Sequence, residues 1–196
     1  GRGGSSGRYG SSCIRQCNLE TAEDTVVWDN STFGGCMNCH TFLKNRPDRM
    51  IIHMRSSASR PYGHGMLLIQ DGQLSKVDTR TPRSIGLAAF TSWHPSGRLL
   101  AFSMNMVRQF FHSARTEVRD GIDMKSDLAV YLVESQTVSS TSQISRPDRL
   151  ETWPAWSADG RHLYFCSAPI LWEDRDKMVP ERYKEVKYDL MRISYD

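Results

Sequence analysis

Trp93-His94-Pro95-Ser96-Gly97-Arg98-Leu99-Leu100-Ala101-Phe102-Ser103 aligns without gaps on Trp156-Ser157-Ala158-Asp159-Gly160-Arg161-His162-Leu163-Tyr164-Phe165-Cys166, at an offset of 63 residues. About the same offset separates Asp127-Leu128-Ala129-Val130-Tyr131 from Asp189-Leu190-Met191-Arg192-Ile193. Each unit therefore reads as a strand ending in Trp, a tight turn with Gly, a second apolar strand, an insertion, and a third strand opening on Asp-Leu. The glycine permits positive φ in the turn, the Trp and Phe pack between neighbouring sheets, and the polar turn stays in water.

Outward from this repeat the pattern continues. Short apolar runs at Met66 to Ile69, Leu99 to Phe102, Leu128 to Val133, Leu163 to Cys166 and Leu190 to Ile193 are separated by turn signals such as Asp71-Gly72 and Asp159-Gly160. This spacing predicts antiparallel strands and hairpins from Met66 onward. The two units resemble the TolB-type β-propeller repeat, Pro-x-Trp-Ser-Pro-Asp-Gly-x-x-Ile/Leu-x-Phe. Trp153-Pro154-Ala155-Trp156-Ser157-Ala158-Asp159-Gly160 departs from it by Ala158, and the first copy by His94 and Ser96. The resemblance covers residues 66–196 and implies an all-β chain of propeller blades. Two blades and the strands of a partial third, around Met66 to Val77, do not close a ring of four to eight. The expectation is an incomplete propeller, completed by further sequence or by another chain.

The chain has 196 residues and a mass of 22.4 kDa, room for one domain of ordinary size or for a small domain with an appendage. With 39% hydrophobic and 24% charged residues it can bury a core. A net charge of +3, with no run of five basic residues, marks neither a nucleic-acid surface nor a polybasic membrane anchor. The longest apolar runs, such as Met66-Leu67-Leu68-Ile69, fall far short of the roughly 20 residues that span a bilayer, so no transmembrane segment is expected. Residues 1–12 are rich in Gly, Ser and Arg and read as a flexible segment; they lack the apolar stretch of a signal peptide, which does not argue against export.

Residues 13–65 read as an irregular haem-binding segment with a short helix: four of the five cysteines, several breakers, and one helical candidate from Pro47 to Arg55, with Pro47 near its first turn and Asp48 favouring its N-terminus. Within this segment Cys36-Met37-Asn38-Cys39-His40 fits the Cys-x-x-Cys-His pattern of covalent c-type haem attachment. Two thiols add across the two porphyrin vinyl groups, the two-residue spacer sets their distance, and the adjacent His reaches the iron. Other chemistries use the same residues: a disulfide between Cys36 and Cys39, a redox-active dithiol, or half of a zinc site completed by Cys13 and Cys17. The haem reading makes Cys36, Cys39 and His40 cofactor-binding residues. His53 is the first choice for the second axial ligand because it follows 13 residues on, beside Ile51-Ile52; Met54, His64 and Met66 are the alternatives. Arg55 and Arg60 can pair the haem propionates and Tyr62 can donate to them. His112 can line a site near the haem or stand as a loop residue anchored by Phe110 and Phe111. Cys13 and Cys17 can close a small loop, or either can bond Cys166.

Cys-x-x-Cys-His followed by Thr41-Phe42, Pro47 to Arg55, Ser92 to Gly97, Phe110 to Ser113 and Ser126-Asp127-Leu128 resembles a group of exported bacterial proteins that join one c-type haem to TolB-like blades. The resemblance implies one covalent haem c and a location outside the cytoplasmic membrane, such as the periplasm. The expected function is electron transfer to a redox partner protein. Catalysis at an open iron, with His112 or Tyr62 as distal groups, and a redox-silent interaction module are the alternatives.

Overall fold

A computed structural model describes residues 13–30, 36–55, 65–79, 87–111, 119–174 and 179–195. Among the described residues thirteen strands carry the fold, and the helical content is one 3-10 turn, Tyr183–Glu185. A ribbon of β1 (Cys13–Cys17) and β2 (Asp24–Asp29) comes first. Sheet 1 is β3 (Cys36–Leu43), β4 (Arg46–Arg55), β5 (Gly65–Gln70) and β6 (Gln73–Val77). Sheet 2 is β7 (Leu87–Trp93), β8 (Leu99–Phe111), β9 (Arg119–Leu132) and β10 (Thr137–Ser139). Sheet 3 is β11 (Arg149–Trp156), β12 (His162–Pro169) and β13 (Asp189–Ser194). Within each sheet every strand pairs antiparallel with the next in sequence.

The two repeat turns fold alike. The Gly97 N–H donates to His94 O, and the Gly160 N–H to Ser157 O, both at 2.9 Å. Both glycines take positive φ, 71° and 75°. In the second copy the Ser157 hydroxyl donates to Asp159 Oδ1 and accepts from the His162 N–H. In the first copy His94 and Ser96 take over, Nδ1 meeting the Ser96 hydroxyl at 2.7 Å while Ser96 Oγ accepts from the Arg98 N–H. The departures from the repeat consensus thus keep the turn chemistry with different atoms.

Alternation along each strand builds apolar layers between successive sheets. Met37, Met50, Ile52, Met54, Leu67 and Ile69 form a layer on which Ile14 and Trp28 of the ribbon pack. The other face of sheet 1, with Ile51, Met66 and Leu68, packs on Leu100, Phe102 and Met104 of sheet 2. Ala101 and Leu128 of sheet 2 pack on Leu163 and Phe165 of sheet 3.

Two expectations are corrected. Pro47 to Arg55 is strand, not helix, because Met50, Ile52 and Met54 alternate with Ile51 and His53, and this period of two lets both faces of β4 bury apolar side chains. Residues 13–65 are likewise not an irregular appendage: β4 pairs with β5 across the expected boundary at 65/66, so β3 and β4 complete a four-stranded sheet around the partial unit at Met66 to Val77. The 1–12 segment lies outside the described residues.

Candidate functional site

The first strand of each sheet carries the same irregularity. Register slips by one residue between Asn38 and His40 in β3, between Ala89 and Ser92 in β7, and between Thr152 and Ala155 in β11. Each slip is a β-bulge holding one residue at positive φ: Cys39 at 20°, Phe90 at 46° and Trp153 at 52°. Phe90 and Trp153 are related by the repeat offset of 63, and Cys39 occupies the same place in sheet 1. Non-glycine residues rarely adopt this backbone, and surrounding structure must hold them there. All three are exposed, and the Phe90 and Trp153 rings meet edge to face with centroids 5.4 Å apart. The Cys-x-x-Cys-His motif is thus built on the bulge of β3, the edge strand of sheet 1.

Contacts between sheets repeat with the same period. The Trp93 indole N–H of β7 donates to Thr41 O of β3 at 3.1 Å, and the Trp156 backbone N–H of β11 donates to the Ser92 hydroxyl of β7 at 3.0 Å. Thr41 and Ser92 each follow their bulge residue by two positions.

His40 lies beside Cys39, exposed, and its ring meets Phe42 edge to face at 5.4 Å. It pairs with Ile52, whose side chain belongs to the layer beneath the ribbon. His53 belongs to the opposite face. There it is 5% exposed, with Nδ1–H donating to Ala88 O and Nε2 accepting from the Thr91 hydroxyl. Burial lowers its pKa below the usual imidazole value, so the ring is neutral at pH 7 with both nitrogens engaged. Neighbouring strand residues point to opposite faces, so the ring expected as second axial ligand is separated from His40 by the thickness of the sheet.

Met54 is buried in the ribbon layer and Met66 in the layer between sheets 1 and 2, where its sulfur lies 3.7 Å from the Thr91 hydroxyl oxygen. The Arg55 backbone pairs with that of Cys36. His64, Arg60, Tyr62 and His112 lie outside the described residues, as do the side chains of Cys36 and Arg55. Cys39 and His40 are adjacent and open to solvent at a sheet edge, whereas His53 is buried on the other face with both ring nitrogens hydrogen-bonded.

No family model matches the chain, and no curated protein matches it. Among solved structures, one described as a TolB from Agrobacterium tumefaciens is similar over 94% of this chain and 66% of its own length, at 15% identity and a TM-score of 0.34.

Cys13 and Cys17 sit at the two ends of β1, both exposed. An extended strand at about 3.3 Å per residue places Cα atoms four residues apart about 13 Å from each other, beyond the reach of a disulfide. The small loop expected between them does not form in this fold. Cys166 lies in β12, paired with Thr152 and Leu190.

Sequence reading passed over Asp123 and Glu151. Both carboxyls have raised pKa values through burial, Glu151 to about 7. Neither sits in a recognisable motif; an acidic residue inside an apolar-flanked strand is the one signal either offers. Phe90 was within reach, because the 63-residue offset already relates it to Trp153.

Proposed function

We propose that this chain is a c-type haem protein on a β-propeller scaffold, carrying electrons outside the cytoplasm. The observation that carries the reading is the placement of Cys36-Met37-Asn38-Cys39-His40 on a bulged edge strand with Cys39 and His40 open to solvent. Bound there, the group supplies an iron that cycles between ferrous and ferric and passes one electron. Cys36 and Cys39 would hold the ring and His40 the iron. The order of strands in each sheet, the shared bulge and the repeated Trp contacts support a blade-by-blade reading of the scaffold. Leu190, 73% exposed on β13, leaves an apolar side chain for a further blade or another chain to cover. Covalent attachment of this type takes place outside the cytoplasmic membrane, which favours a bacterial periplasm.

One observation favours a second reading. His53, Met54 and Met66 are all committed to packed layers, so an iron held by His40 takes its sixth ligand from outside that set or keeps the position open for a small molecule.

The test is expression with cytochrome c maturation machinery, followed by a denatured mass and by reduced spectra with and without carbon monoxide. One covalent haem per chain is expected, lost in Cys39→Ser. Reduced bands that ignore carbon monoxide support the carrier, whereas a shift supports the open iron. His53→Ala is expected to leave the haem spectrum unchanged while lowering the melting temperature. Absence of haem after competent maturation overturns both readings.

A further inference from the structure

Away from the haem motif, side chains of β8, β9 and β11, together with Trp172 and the stretch from Tyr183 to Tyr188, form a second site. A cavity of about 320 Å³ opens there, lined among others by Asp123, Trp153, Trp172, Tyr183 and Tyr188. Among the described residues that line it, Asp123 supplies the acidic group and none is basic. The carboxylate is oriented on both oxygens: Asn105 Nδ2 donates to Oδ1 at 3.0 Å and the Tyr188 hydroxyl faces Oδ2 at 3.4 Å. Burial raises the Asp123 pKa, with the two hydrogen bonds opposing the shift, so the carboxylate is set where its negative charge is poorly solvated. The only cation–ring contact described nearby is Lys184 Nζ, 5.6 Å from the Tyr183 ring centroid, and Lys184 itself is exposed.

The aromatic residues around this carboxylate are not ordinary packing. Trp153 is the strained bulge residue of β11, 49% exposed, and its ring lies 6.1 Å from that of Tyr188. Trp172 is 6% exposed, and its Nε1 has no acceptor among the described residues. A buried indole N–H without a partner is costly unless something else supplies an oxygen. An anionic group, electron-rich rings and an unmatched donor together specify a ligand: positive charge spread over an apolar surface, with an oxygen nearby.

We propose that this cavity binds a small hydroxyl-bearing alkylammonium cation, with Asp123 facing its charge, the Trp153 and Tyr188 rings contacting its alkyl groups, and Trp172 Nε1 donating to its oxygen. The volume lies at the small end of ligand pockets and suits a compact cation rather than a peptide or a nucleotide. The site shares no residue with the haem motif and does not depend on haem being present.

The experiment titrates the chain with choline, followed by tryptophan fluorescence and calorimetry. In parallel it is titrated with the uncharged isostere, in which a tert-butyl group replaces the trimethylammonium. Saturable choline binding, at least about tenfold stronger than that of the isostere, is expected. Asp123→Asn keeps the shape and the Asn105 contact, and is expected to weaken choline about tenfold with little change in the isostere. Trp153→Ala, at a half-exposed ring, is a second variant expected to weaken choline, with far-UV circular dichroism confirming the fold. Equal affinity for choline and the isostere overturns the proposal and leaves an apolar pocket. So does an absence of saturation by about 50 mM choline, or a choline affinity untouched by both variants.

Discussion

Glu151 is 1% exposed on β11, and its Oε2 accepts from the Arg146 N–H at 3.4 Å. Burial is the main reason its pKa rises from 4.5 to about 7; Asp127 adds to the rise, and Arg149 and Arg146 oppose it. A carboxyl with a raised folded pKa holds its proton more tightly folded than unfolded. Its contribution to stability is therefore complete below pH 4.5 and is lost as the pH rises towards 7. Glu151→Gln keeps an acceptor for the Arg146 N–H and removes the charge. It is expected to stabilise the chain at pH 8, by up to about 3 kcal/mol, and to be near neutral at pH 4. Urea denaturation at the two pH values checks this; an equal effect at both would show that packing, not ionisation, sets the cost. The cysteines yield a second prediction at this scale: peptide mapping without reductant is expected to find no bond between Cys13 and Cys17, which stand at opposite ends of an extended strand.

At the scale of elements, each first strand hands a side chain to the next turn. A Cβ on Gly97 would stand 2.7 Å from Leu43 Cδ2, and one on Gly160 would meet the His94 ring and Pro95. Leu43 and His94 are matched positions, each directly after the aromatic residue (Phe42, Trp93) that precedes its turn. His94 also meets the Trp156 ring edge to face at 4.9 Å, and its Nε2 donates to Gly160 O at 3.0 Å. Gly160→Ala therefore carries both backbone strain and a clash. Gly72→Ala, at nearly the same φ of 76° with open space around it, carries strain alone. Thermal or chemical unfolding is expected to show Gly160→Ala costing about 1–2 kcal/mol more than Gly72→Ala, with positive coupling between Gly160→Ala and His94→Ala in a double-mutant cycle. Equal costs would remove the interlock.

The repeat was legible where its turns contain glycine, at Trp93 and Trp156. It was not legible at Phe42, because the β3–β4 turn is Lys44-Asn45, both at positive φ, a two-residue hairpin turn that contains no Gly. The Cys-x-x-Cys-His motif overlies the same strand and reads as cofactor chemistry rather than as the start of a sheet. Pro47-Asp48 gave a plausible helix start, and only the pairing of β4 with strands on both sides shows that the alternation after it decides. Of the candidate site, Cys39 and His40 stand side by side and exposed. His53 could not be placed on a face from sequence alone, because the bulge shifts the register between it and His40 by one residue.

At the scale of the whole molecule, the apolar layers between sheets 1 and 2 and between sheets 2 and 3 each draw buried side chains from both neighbours. Ile51, 0% exposed on β4, packs in one cluster with Leu100, Phe102 and Met104 of β8. Phe102 in turn neighbours Ala101, which faces Leu163 and Phe165 of sheet 3. Truncating Ile51 leaves a cavity between sheets 1 and 2 rather than inside either, at a cost of about 2–5 kcal/mol. If each sheet were an independent unit, amide hydrogen exchange in Ile51→Ala would lose protection in β4 and its neighbours β3 and β5 alone. Because the layer belongs to both sheets, protection is expected to fall together in β4 and β8, while the ribbon amides of β1 and β2, which pack on the opposite face of sheet 1, change least. A loss confined to sheet 1 would mean that stacking orients the sheets without stabilising them. A haem on β3 would then be carried by a sheet that opens alone, whereas coupling between the sheets makes the edge strand holding Cys39 and His40 as persistent as the layers behind it.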